Sequence, residues 1–289
     1  MRIATRGSAL ALTQARWVAE RLGGADLVGA SSDGEPGDKS RFVRGVERAL
    51  LAGEAEIGVH SAKDLPSEMP EGLEIAGVPE REDPADVWIG IGASLDEAPE
   101  GARVGTASLR RRAQLLATRP DLRIEELHGN VDTRLRKLAE GELDAIVLAA
   151  AGLRRLGREA EIGFALPVEQ VCPAPGQGAL ALQVRSEDSE AGDAAAAVND
   201  LKAMRELTAE RTVVALLQAT CNTPLGVHAQ VEGETLAIDA FVGLPDGSEW
   251  IRDRMEASAE EPSLAGAELT QRLLGAGARE ILDRAEVQS

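Results

Sequence analysis

Tyrosine is absent from the 289 residues and aromatic residues make up only 2% of them. Cores must therefore be built from Ala, Val, Leu and Ile, and recognition of nucleic acid by stacking bases on aromatic platforms is disfavoured. Cysteine is nearly as scarce: Cys172 and Cys221 lie far apart, with no CxxC and no Cys/His cluster. That argues against a metal site or redox pair and for reduced thiols. Lysine occurs only at 39, 63, 137 and 202, so arginine carries most of the positive charge. Also missing are a run of about 18 apolar residues, a cleavage-site pattern after the opening MRIATRGSALALTQARW, and the GxxxxGK[ST] or GxGxxG of a nucleotide site. These absences predict a cytoplasmic protein with no membrane partner.

What is present is acid. With 31 basic against 49 acidic residues the net charge is -18, which repels nucleic acid and anionic membranes. Any anion site must be a local basic patch. Acidity with little lysine fits adaptation to high salt, where screening acts within about 3 Å at 1 M, and equally a high-GC genome with an ordinary acidic surface. Full stability in dilute buffer would exclude the first. At roughly 100–150 residues per domain the length allows two or three domains.

Short β-like runs alternate with helical patterns through the first two thirds: RIAT, a helix over 8–22, ADLVGA, a helix over 41–51, then EIGVH. Such alternation predicts βαβ units and mainly parallel sheets. The charged, proline-bounded PEREDP at 79–84 reads as a domain boundary. A second α/β block follows, with VG at 104–105, a helix from Ser108, LRIEEL, a helix from Val131 and the apolar run DAIVLAAAGL. The glycines of PAPGQGALALQV suggest a crossing back to the first domain. Beyond Leu201 a helix, the Cys221 loop, strands VHAQVE, TLAIDAFVG and SEWIRDRME, and a final helix to about Ala285 predict a small α+β domain.

Three predicted strand-to-helix loops share a composition: TRGS at 5–8, GTASLRRR at 105–112 and HGNVDTR at 128–134. Gly with Ser or Thr at a helix start offers unpaired N–H groups and the positive dipole end to an anion. Arg6, Arg110, Arg111 and Arg134 add planar forks that grip carboxylates in two places. Each loop alone is equally a helix cap with arginines reaching solvent; three in one acidic chain favour a carboxylate-rich ligand. In GVHSAKDLP a strand end brings His60, Lys63 and Asp64 together, where a carboxylate can serve as acid, base or counter-ion to a transient cation; a turn cap before Pro66 is the bland alternative.

Together RIATRGSALALTQA, VHSAKDLP, GTASLRRRAQL, GNVDTRL, DAIVLAAAGLRRLG, PAPGQGAL and the C-x-x-P-x-G of CNTPLG, in this order over residues 2–226, resemble the porphobilinogen deaminase (hydroxymethylbilane synthase) family. The resemblance implies two periplasmic-binding-protein-like (type II) α/β lobes with mainly parallel sheets, residues 1–79 with 177–199 and residues 84–174, plus a small α+β C-terminal domain, 201–289. It implies a transferase of haem and tetrapyrrole biosynthesis that condenses four porphobilinogen molecules into linear hydroxymethylbilane. The primer it implies is a dipyrromethane held by a thioether to Cys221. Asp64 and Lys63 match the catalytic positions; Arg6, Ser8, Thr106, Ser108, Arg110, Arg111, Arg134, Arg155, Gln177 and Phe42 match substrate and cofactor contacts. Cys172, just before PAPGQG, reads as a packed thiol. A monomer with no resident metal is expected.

The sequence departs from the family's pattern in places. His128 stands where many members have a carboxylate-binding arginine, making that anchor neutral or pH-dependent. SSDGEPGDKSRF is short and lacks the usual GGKGLF, although Lys39 and Phe42 remain; Ala219 and Thr220 replace a glycine pair before the cysteine; and the chain after Gly226 carries no matching motif. Two other readings fit parts of the pattern. A non-catalytic two-lobed anion binder would not require Cys221 or Asp64. A transferase with Cys221 as thiolate nucleophile would want a base, for which His228 is the nearby candidate.

Overall fold

The computed structural model describes residues 1–30, 41–220 and 222–287. The chain begins β1 (Arg2–Thr5), α1 (Ala9–Arg21), β2 (Asp26–Gly29), α2 (Arg41–Leu51), β3 (Ile57–Ser61) and β4 (Leu73–Gly77). It goes on through β5 (Asp86–Gly90), β6 (Arg103–Gly105), α3 (Leu109–Thr118), β7 (Arg123–Glu125), α4 (Val131–Ala139), β8 (Ala145–Ala149), α5 (Ala150–Arg155) and β9 (Phe164–Leu166), then returns with β10 (Leu180–Arg185) and α6 (Ser189–Ala197). Last come α7 (Leu201–Leu217), β11 (Leu225–Glu232), β12 (Thr235–Gly243), β13 (Trp250–Ser258), α8 (Pro262–Gly275) and α9 (Ala278–Val287).

Three sheets result, ordered β2-β1-β3-β10-β4, β7-β6-β8-β5-β9 and β11-β12-β13. In the first, β1 runs parallel to β2 and β3 while β10 is antiparallel to both β3 and β4. In the second, β6 runs parallel to β7 and β8 while β5 is antiparallel to β8 and β9. Each α/β lobe therefore has one reversed strand among strands of a common direction, and in each it is the strand that follows a crossing from the other lobe. Those crossings are residues 78–85 and 167–179. The third sheet is an antiparallel meander.

Helix starts are fixed by local chemistry. Ser8, Ser108, Asn130, Asp188 and Asp200 each accept a backbone N–H of the first turn, typically about 1 kcal/mol per cap. The lobe sheets are covered on both faces. In β5, Val87 and Ile89 join one core with Ile146, Leu148 and Leu153, whereas Trp88 joins the other with Val104, Leu115 and Val147. Trp88 is fully buried, stacks on Phe164 at 5.8 Å and donates from Nε1 to the Ile91 carbonyl at 2.9 Å. It anchors β5, and truncation to Ala should cost about 3–5 kcal/mol.

Five features differ from the sequence expectation. β4, β9 and α6 were not anticipated, β9 because its three residues lead into no helix and α6 because its alanine-rich stretch has a weak pattern. The final helix is two, broken where Gly277 takes φ +99°, a conformation open to glycine. The apolar run from 144 splits into β8 and α5. Among the described residues no helix is long and apolar enough to cross a membrane.

Candidate active site

β1 and β3 are neighbouring parallel strands, so their carboxyl ends set Arg6 to Ser8 beside residues 62–64, the place where open α/β sheets bind ligands. Arg6 Nη1 donates to Asp64 Oδ2 at 3.3 Å, with the two side chains 30% and 43% exposed. The pair is long and wet, which leaves the carboxylate available. Ser8 Oγ accepts the Ala11 N–H and keeps its own proton for donation. His60 turns into the core instead. Its Nε2 lies 2.8 Å from Gln183 Oε1, and burial pushes its pKa down to about 4, so the ring is neutral and takes no part in the cluster.

Lys63 reaches the other way, donating from Nζ to Gln177 Oε1 at 3.1 Å. Burial, helped by the Arg111 and Arg110 guanidinium groups and opposed by Asp64 and Asp86, pushes its pKa down to about 8. Gln177 is itself buried and donates from Nε2 to the Pro84 carbonyl at 2.7 Å and to Asp86 Oδ1 at 3.0 Å. Asp86 then accepts Arg110 Nη1 at 2.6 Å and Arg111 Nη2 at 2.7 Å. The two guanidinium groups hold its carboxyl well below the usual range despite burial. One continuous chain of contacts thus runs from β3 in the first lobe, through the second crossing, to α3 in the second lobe.

Arg110 and Arg111 were expected at the ligand surface. Both are sealed, Arg110 also donating to the Cys172 carbonyl at 2.6 Å and Arg111 to the Val147 carbonyl at 2.8 Å. Thr106 and Ser108 sit at the α3 start, where Thr106 Oγ1 accepts the Ser108 N–H at 3.2 Å and Ser108 Oγ accepts that of Arg111. Arg134 donates to the Gly129 carbonyl at 2.8 Å and Arg155 to the Gly178 carbonyl at 2.7 Å. Burial pushes both pKa values down to about 10, Arg111 adding to the effect on Arg134. They stay charged at neutral pH. His128 is exposed, 3.3 Å from Glu126 Oε2. Cys221, Lys39 and the side chain of Phe42 lie outside the described residues.

Sequence reasoning missed Asp86 and the partners of Arg81. Asp86 had a signal, an acid opening the otherwise apolar strand DVWIG. Arg81, in the first crossing, donates to Glu210 Oε1 at 2.8 Å, to Glu206 Oε2 at 3.4 Å and to the Gln177 carbonyl at 3.0 Å. Glu210 also accepts the Gly176 and Ala229 N–H groups, tying α7 to the second crossing and to β11. The two glycines of PGQG are required here. A Cβ on Gly176, at φ +74°, would stand 2.9 Å from the Lys63 backbone nitrogen, and one on Gly178, at φ +87°, 2.2 Å from the Glu82 carbonyl oxygen.

Cys172 is fully buried, as its position suggested, and burial pushes its thiol pKa up. His228 faces Glu210, Nδ1 3.7 Å from Oε1. The loop that carries Cys221 follows Gln218, whose φ of 55° ends α7, and is tied by Thr220 N–H to Thr223 Oγ1 at 2.8 Å. A groove of about 330 Å³ lies between α7 and the segment after Asp64. Its one cation, Arg211, is engaged by the Pro66 and Ser67 carbonyls, so it does not suit a polyanion.

The family description "Porphobilinogen deaminase, dipyromethane cofactor binding domain" matches residues 1–193, and "Porphobilinogen deaminase, C-terminal domain" matches 204–275. The chain belongs to the porphobilinogen deaminase family. Relatives named porphobilinogen deaminase include those of Syntrophus aciditrophicus, 44% identical over 99% of both chains, Thiobacillus denitrificans, 44% identical over 97% of both, and Deinococcus radiodurans, 43% identical over 97% of both. Solved structures similar to this chain include the BvgS VFT2 domain of Bordetella pertussis, 15% identical over 68% of this chain and 85% of that one with TM-score 0.41. Another is a TRAP periplasmic solute binding protein of Desulfovibrio salexigens, 12% identical over 69% and 72% with TM-score 0.42. The porphobilinogen deaminase family thus accounts for the C-terminal domain, in which the sequence alone offered no motif beyond Gly226.

Proposed function

We propose that the Asp64–Lys63 cluster carries the stepwise deaminative condensation of four porphobilinogen molecules, with hydrolytic release of linear hydroxymethylbilane, the transferase reaction of tetrapyrrole synthesis that the family performs. The observation that carries this reading is the wet carboxylate of Asp64, loosely paired with Arg6 and next to Lys63, in a chain of net charge -18.

The donor set fits a dipyrromethane, whose acetate and propionate groups need cations and N–H or O–H donors. Bound through Cys221, that group supplies the free pyrrole α-carbon on which the product grows. Arg6, Arg134 and Arg155, with the hydroxyls of Ser8, Thr106 and Ser108, hold substituent carboxylates. Asp64 accepts pyrrole N–H hydrogen bonds and balances the positive charge that develops as ammonia leaves the incoming ring. It also assists removal of the α-proton once the carbon–carbon bond has formed. Lys63 holds a proton at Nζ and pairs with a carboxylate near the reacting ring. His228 is buried and turns its Nδ1 toward Glu210, 3.7 Å away and outside hydrogen-bond reach, and that burial weighs against the thiolate-nucleophile alternative.

The division into 1–79 with 177–199, 84–174 and 201–289 is supported by sheet membership, since β10 pairs with β3 and β4 and not with the sheet of β5–β9. The enzyme acts as a cytoplasmic monomer on this reading. Intact mass of wild type and of Cys221→Ala tests the function directly. Wild type should be heavier by two linked pyrrole units, and the variant should lack the excess. Wild type still unmodified after incubation with porphobilinogen would sink the assignment and leave an anion-binding module.

A further inference from the structure

We propose that Asp86 is a positioning residue for this reaction: one sealed carboxylate locks the forks of Arg110 and Arg111 and turns the Gln177 amide so that its oxygen aims Lys63. The proposal rests on the function given above. Asp86 is completely buried and accepts four hydrogen bonds from three side chains. Its backbone is equally fixed, because β5 pairs on both sides, Asp86 opposite Ala149 and opposite Leu166.

The amide of Gln177 has only one workable orientation. Its Nε2 has two acceptors, the Pro84 carbonyl at 2.7 Å and Asp86 Oδ1 at 3.0 Å. Flipped, it would press an oxygen against both acceptors and an NH₂ against the Lys63 ammonium, leaving buried donors and acceptors unpaired at about 1–3 kcal/mol each. Asp86 thus dictates what Lys63 meets. A carboxylate serving stability alone needs one partner, whereas here Arg110, Arg111 and, through Gln177, Lys63 converge on it. The charged groups around Lys63 are Asp64, Asp86, Arg110 and Arg111. Losing the Asp86 charge removes one of two anions that keep Lys63 protonated, and losing its oxygens frees Gln177 to turn.

Lysine at only four positions makes the test direct. In the cofactor-loaded enzyme, isotope-labelled lysine reports the Lys63 titration by NMR alongside turnover per loaded molecule. Wild type should titrate near pH 8 before loading and no lower once a cofactor carboxylate faces Nζ, and the alkaline fall in turnover should follow the loaded value. Asp86→Asn should shift both to lower pH and lower turnover about 10- to 100-fold, the range seen when groups that orient a metal's ligands are removed, with partial recovery in Asp86→Glu. An unmoved Lys63 titration and normal turnover, with only a lower melting temperature, would overturn the proposal. Should Asp86→Asn fail to fold, Gln177→Leu keeps the arginine pairs with Asp86 and must move Lys63 in the same direction; no movement there overturns it equally. If wild type neither loads a dipyrromethane nor consumes porphobilinogen, the function assignment fails, and the Lys63 titration in the variants still decides the role of Asp86.

Discussion

Two acid–arginine groupings stand at the inner edges of the two lobes, and they are built for opposite ends. Asp64 with Arg6 is a single 3.3 Å contact between side chains 43% and 30% exposed. Asp86 with Arg110 and Arg111 is a dry three-residue cluster whose contacts lie between 2.6 and 2.9 Å. Coulomb energy is screened in the first and strong in the second, but the second also carries the desolvation of three charges. The exposed Asp64 carboxylate can exchange its long contact for a ligand. The closed cluster cannot, and it holds the ligand-binding surroundings in place.

The sharpest way to break this comparison is to remove one arginine from each grouping. Arg111→Met removes one of the two guanidinium groups that balance a buried carboxylate and should cost about 3–5 kcal/mol of stability, whereas Arg6→Ala should cost less than about 1 kcal/mol. Denaturant unfolding measures both, and equal losses would mean that burial does not separate the two sites. Next in size is Asp64→Asn, which keeps a hydrogen-bonding oxygen and removes the charge. Turnover should fall about 100- to 1000-fold, the scale for losing one preorganised electrostatic group, with the melting temperature unchanged. A turnover near wild type would take Asp64 out of the chemistry.

The sequence made the open grouping legible and hid the closed one. Asp64, Lys63 and Arg6 sit next to strand ends in short motifs, so local pattern suffices to find them. Asp86 is 24 residues from Arg110 and 91 from Gln177, and only the pairing of β5 with β8 and the return through 167–179 bring them together. Arg110 and Arg111 show the converse: as part of SLRRR they read as ligand forks, and burial reassigns their donors to Asp86, Cys172 and Val147. The alternation behind the lobes was legible because most of its strands, the three-residue β6 and β7 included, lead into a helix. β9 has no helix after it to mark it, and α8 and α9 merge in pattern because the break depends on the backbone of one glycine.

The smallest effect sharpens the comparison from the side of charge. Lys63 lies between the two groupings, and its ammonium, with pKa pushed down to about 8, is present below that pH and lost above it. Turnover should therefore be halved at the Lys63 pKa, near pH 8 or higher once a cofactor carboxylate faces Nζ, and fall about tenfold per further pH unit, as a single deprotonation requires. Arg134 and Arg155, at about 10, hold their charge throughout that window, so the fall belongs to Lys63. In Lys63→Arg a guanidinium keeps its charge, and the alkaline fall should move beyond pH 9 even though the planar fork fits the Gln177 oxygen less well and lowers the plateau. An alkaline fall unmoved in Lys63→Arg would assign it to another group and leave Lys63 with a binding role alone, because a side chain that titrates without altering the rate is not holding the proton that the reaction uses.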